Sequence, residues 1–129
     1  MTVFADASWL DTAGKLLIVG FFVVAGLYNL APARVKSHIE RLGELGVPLP
    51  AAAFWSGLAL QFTGCALLLT GWYADVGALC LIVFTVLANA LFHRYWNEAD
   101  PARRDTLRLL LLNGVAILGG LLLLLRSVS

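Results

Sequence analysis

The sequence predicts an all-α integral membrane protein, a four-helix bundle with a short interfacial amphipathic helix between spans one and two. Three observations carry that expectation. Hydrophobic residues make up 60% of the 129 residues and charged ones only 13%, which is not the balance of a soluble domain. Four apolar runs, roughly Leu16 to Ala33, Ala51 to Trp72, Val76 to Phe92 and Leu109 to Leu125, contain no Asp, Glu, Lys or Arg. Each has about the 17 to 25 residues needed to cross a hydrocarbon core. A soluble bundle would carry charges on its outer faces at helical spacing, whereas these runs are apolar on every face. The chain reads as a single transmembrane domain over residues 1–129, with spans at about 15–32, 51–72, 75–94 and 105–126 and the interfacial helix at about 33–45.

Residues Met1 to Ala13 read as a short outer tail, with Trp9 where an anchoring aromatic belongs. With neither a basic start nor a small-residue cleavage site ahead of it, the first span is expected to act as its own insertion signal. Gly20 and Gly26 offer small surfaces for close helix contact, Asn29 falls in the last turn, and Pro32 ends or kinks the span. The stretch ARVKSHIERLGELG follows. At 100° per residue, Val35, Ile39, Leu42 and Leu45 share one face and the charges lie mostly elsewhere, as in a helix lying in the membrane boundary. His38 projects into that apolar stripe, so it faces either the membrane or the bundle.

In the second span Gly57, Gln61 and Gly64 form one stripe, and Gln61 sits near mid-membrane, where an amide needs a partner on another helix or on a ligand. The turn from Gly71 to Asp75 is short enough to make spans two and three antiparallel neighbours. It sets Cys65 and Cys80 at similar depth; two cysteines without a CxxC are no disulfide framework, and they either pack as apolar side chains or, if oxidised, pin two helices the turn already joins. Thr85, Asn89 and His93, four residues apart, put a polar stripe on one face of the third span. Asp100 followed by Pro101 is a cap and first-turn signature for the last helix, which carries Asn113, Gly114, Gly119 and Gly120. All four tryptophans, Trp9, Trp55, Trp72 and Trp96, fall within about two turns of a membrane boundary.

Positive charge is distributed unevenly. Arg34, Lys36, Arg41, Arg94, Arg103, Arg104 and Arg108 lie on one side, Lys15 and Arg126 on the other. The basic side is expected in the cytoplasm and both termini outside. The basic residues are split between two segments and interleaved with Glu40, Glu44, Glu98, Asp100 and Asp105, so nucleic-acid binding is not supported. Arg94, Arg103, Arg104 and Arg108 either snorkel to headgroups or dock an anionic lipid or partner protein.

Every span contributes one amide to the cytoplasmic half or the middle of the bundle: Asn29, Gln61, Asn89 and Asn113. If they face inwards they line a polar cleft with His93 at its mouth, Trp96 and other boundary aromatics beside it, and His38 over it. Such a cleft suits the carbonyl oxygens of a quinone or another flat amphipathic ligand; the same amides could instead bond to one another and fix helix register. No carboxylate lies within any of the four apolar runs, which argues against a proton relay or cation-coupled carrier. Metal ligands are lacking, and no nucleophile stands beside a base, so no catalytic residue is assigned.

The segments FFVVAGLYNLAP, ELGVPLP, LQFTGCALLLTG, LFHRYWN and LLNGVAILGGLLLLL, in that order and spacing, resemble the DoxX family of small four-span bacterial membrane proteins. The sequence departs from that pattern where Gln61 replaces a common acidic residue, Asn29 a common basic one and Leu112 a common lysine, while His93, Trp96, Asn113, Gly119 and Gly120 match. The resemblance implies a multi-pass protein of the bacterial inner membrane and a subunit of quinone-linked or thiol and sulfur oxidoreductase systems. It implies an accessory subunit rather than a stand-alone enzyme, in a larger membrane complex or a homo-oligomer, with quinone as the candidate cofactor. The other reading is a purely structural subunit with no substrate; a carrier for a small neutral solute is a third.

Overall fold

The computed structural model describes residues 8–92 and 98–128. Five helices follow one another: α1 Ser8–Asn29, α2 Pro32–Glu44, α3 Pro50–Thr70, α4 Ala74–Phe92 and α5 Pro101–Val128. There is no strand among the described residues. Four segments, Trp9–Asn29, Pro50–Thr70, Ala74–Phe92 and Pro101–Val128, are long and apolar enough to cross a membrane.

The first helix reaches further out than the sequence suggests. It starts at Ser8 and takes in Trp9 and Asp11, which the sequence reading left in a tail. Asp11 lies in the first turn, where a carboxylate meets the positive end of the helix dipole. At the other end the helix tightens, with Leu30 N donating to Leu27 O at 3.1 Å. Pro32 then serves as the first residue of α2 rather than as a kink, a position where its missing N–H costs nothing. The last helix begins at Pro101 as expected, with Ala102 N donating to the Asp100 carboxylate at 3.3 Å.

The spans form a ring. α3 packs most extensively on α4, α4 on α5 and α1 on α3, and α5 closes back onto α1. The α3–α4 pair is a tight hairpin. Gly71, at φ 74°, stops α3 in a left-handed conformation that a side chain would disfavour, and its N–H donates to Leu67 O. Above the turn the two backbones touch: a Cβ on Gly64 would stand 2.9 Å from Gly77 O, and one on Gly77 2.8 Å from Gly64 O.

Two apolar clusters fill the ring. One joins Val19, Phe22, Cys65, Leu68, Ala78, Leu81, Leu121 and Leu124, residues of all four spans. The other lies at the α2 end, where Leu42 packs with Phe54 and Leu58 of α3. Of the stripe Val35, Ile39, Leu42 and Leu45, the first three form the face of α2 that docks on the bundle, and Leu45 caps the helix.

Candidate functional site

α1 ends at Asn29, and α2 doubles back so that His38 returns to it. An amide oxygen only accepts, so His38 Nε2 carries the proton and donates to Asn29 Oδ1 at 3.2 Å. The imidazole stacks on Phe54 of α3, with centroids 5.7 Å apart and planes at 20°. It meets Phe92 of α4 edge-on at 5.1 Å and 74°. One half-buried side chain thus ties together three span ends. Burial pushes the His38 pKa below its ordinary value, and the Arg34 charge pushes it the same way. The ring is consequently neutral at pH 7, with Nδ1 as an acceptor. The sequence signal for this role is the position of His38 within the apolar stripe of α2, four residues before Leu42.

The remaining amides do not converge on this pair. Gln61 is 1% exposed, and its Nε2 donates to Phe22 O of α1 at 2.7 Å. Its Oε1 is buried with no hydrogen-bond partner among the described residues. Gly26 makes the close approach feasible, since a Cβ there would come within 2.6 Å of Phe62 and 3.2 Å of Gln61 Nε2. Asn89, half-buried, lies against Gly114 of α5, where a Cβ would overlap its amide. Thr85, buried one turn earlier, gives its hydroxyl proton to Leu81 O at 2.7 Å. Asn113 corrects the expectation most plainly. It is exposed on the outer face of α5, because its neighbour Gly114 takes the inward position. The single cleft lined by one amide per span is thus replaced by separate contacts in the α1–α3 and α4–α5 seams. His93, Arg94 and Trp96 lie outside the described residues.

The DoxX family model matches residues 10–94. The chain belongs to the DoxX family. In this DoxX protein the matched stretch takes in most of α1 and all of α2, α3 and α4, including Asn29, His38, Gln61 and Asn89, and stops short of α5. Comparison with curated proteins and with solved structures gave no match.

The basic rim of this DoxX chain is partly engaged with itself. Arg103 Nε lies 3.1 Å from Glu98 Oε2, and Arg108 lies 3.8 Å from Asp105. Arg104 donates to the carbonyls of Glu98 and Ala99 at 3.0 and 3.4 Å, securing the entry to α5. On the other flank the Arg34 guanidinium lies over the Tyr28 ring, 4.2 Å from its centroid. Cys65 and Cys80 are free thiols, and Cys65 Sγ faces Val19 O at 4.0 Å.

Chemically, the Asn29–His38 pair offers neutral hydrogen bonding. Its groups are an amide NH₂ that donates, a ring nitrogen that accepts, and two flanking aromatic rings. Among the described residues no group of three His, Cys, Asp or Glu is placed to hold a metal ion.

Proposed function

We propose that this DoxX protein is a small accessory subunit of a quinone-linked or thiol and sulfur oxidoreductase complex of the bacterial inner membrane. In this reading it contributes a quinone-binding position around Asn29 and His38; Asn89, seated against Gly114 in the α4–α5 seam, and His93, outside the described residues, are further sequence candidates for the same ligand. The observation that carries the site is the His38–Asn29 hydrogen bond between two aromatic rings. Asn29 Nδ2 can donate to a quinone carbonyl oxygen, and neutral His38 Nδ1 can accept from a quinol hydroxyl, so the pair suits both redox forms. The redox association itself rests on the family resemblance. Gln61, Trp96 and Asn113 were candidates for the same ligand, and the buried contact of Gln61 and the outward position of Asn113 favour the Asn29 end.

A second reading, a purely structural subunit, is favoured by a different observation. Gln61 and Asn89 are both seated against neighbouring helices at glycines, Gly26 and Gly114, as side chains that set helix register would be.

The test is quinone retention in protein purified in mild detergent, compared with Asn29→Leu, His38→Ala and His93→Ala variants that remain monodisperse. Loss of quinone with assembly intact supports the first reading. Unchanged quinone content in all three sinks it, and assembly defects confined to Gly26 and Gly114 variants support the second.

A further inference from the structure

A groove of about 630 Å³ runs along the outer face of α1 and ends at Asn29, the residue that accepts from His38. Its floor is apolar from Leu16 through Gly20, Phe21 and Val24, and its polar groups gather at one end, at Asn29 and Arg34. Leu16 to Asn29 spans roughly 20 Å at 1.5 Å per residue, more than one leaflet's share of a hydrocarbon core of about 30 Å. The polarity along the groove is that of an amphiphile with a single headgroup at the membrane boundary.

Arg34 specifies the sign of that headgroup. Its guanidinium lies over the Tyr28 ring, 4.2 Å from the centroid, a contact with the ring face that does not use up its N–H donors. No carboxylate pairs with it among the described residues, in contrast to Arg41, Arg103 and Arg108, each of which has one within 4 Å. Lys36, two residues on, is exposed and adds a second positive charge. A phosphate oxygen accepts such a fork of donors in bidentate fashion. Gly20 opens the middle of the groove, since a Cβ there would meet nothing within 4 Å.

We propose that this groove is a binding site for one anionic phospholipid, its phosphate on Arg34 and an acyl chain along α1 past Gly20. The site borders the proposed quinone position at Asn29, but it rests on Arg34 and the outer face of α1 and requires no redox chemistry.

Native mass spectrometry of the full chain, with phosphatidylglycerol and phosphatidylcholine of identical acyl chains, tests it. Wild-type protein should retain phosphatidylglycerol preferentially, and Arg34→Gln should cut that preference about five-fold, the worth of one basic residue at a membrane surface. Gly20→Leu, whose Cβ enters open space in the groove, should lower retention of both lipids. Circular dichroism and monodispersity verify that each variant is folded. The proposal is overturned if Arg34→Gln keeps the full preference while Arg103→Gln or Arg104→Gln loses it. It is also overturned if a short-chain quinone displaces the lipid at equal concentration, or if Gly20→Leu abolishes a dimer that forms without lipid.

Discussion

Gly64 and Gly77 lie with their backbones in contact across the α3–α4 seam, each leaving room for the other's carbonyl oxygen. Backbone cannot yield as a flexible side chain does, so a methyl group at either position must separate the helices. Gly64→Ala and Gly77→Ala are each expected to destabilise by about 3 kcal/mol, the upper end of overpacking costs. A denaturant titration in detergent checks this. An Ala variant within error of wild type would show that the helices are further apart than described.

Gly114 presents the same geometry with a softer neighbour. The atoms that a Cβ on Gly114 would overlap belong to the Asn89 amide, so Gly114→Ala should cost about 1 to 3 kcal/mol. Asn89→Ala should remove most of that penalty. The double-mutant cycle gives the coupling directly, and strictly additive effects would refute the contact.

At Gln61 the expected sign is the opposite. Its single bond goes to a carbonyl already within a helix, and interhelical bonds in membranes average about 0.6 kcal/mol. A buried acceptor without a partner costs about 1 to 3 kcal/mol. Gln61→Met, apolar and of similar length, should leave the thermal midpoint unchanged or raise it. A clear fall would mean that Oε1 is satisfied in the folded protein.

His38 gives a pH dependence. Its pKa in the fold lies below the ordinary 6.5 through burial and then the Arg34 charge. Between the two values the unfolded chain binds more protons, so stability rises with pH through that window. The contribution is complete above about pH 6.5 and is lost as pH falls through the lowered folded value. Arg34→Gln should move the pKa part of the way back up. Imidazole NMR shifts followed against pH would report both, and a wild-type value at or above 6.5 would contradict the burial described.

What the sequence revealed and what it hid have one physical origin. α2 is amphipathic, so its inward face could be read from Val35, Ile39 and Leu42, and His38 lay within that stripe in plain view. The spans are apolar on every side, and a helix without a polar face carries no signature of its rotation about its axis. The inward position that the cleft requires of Asn113 therefore has no support in the sequence pattern, and Asn113 is exposed. Gln61 and Gly64, of the stripe Gly57, Gln61 and Gly64, can be placed from the sequence because a mid-membrane amide flanked by small residues demands a neighbour. Gly77 went unremarked because one glycine early in an apolar run has no pattern around it. The start of α5 was readable from Asp100 and Pro101, since a cap is chemistry local to a few residues.

The α3–α4 hairpin also has a consequence for biogenesis. From Pro50 to Phe92 the chain contains one charged residue, Asp75, beside the turn at the hairpin tip. A bilayer can accept the pair as one unit, because the short turn makes the loop-closure cost small and the Gly64–Gly77 contact forms between neighbours in the chain. α1 and α5 then have a preformed surface to assemble against. A bulky residue at Gly64 or Gly77 should therefore reduce the yield of inserted protein as well as the stability of the finished bundle.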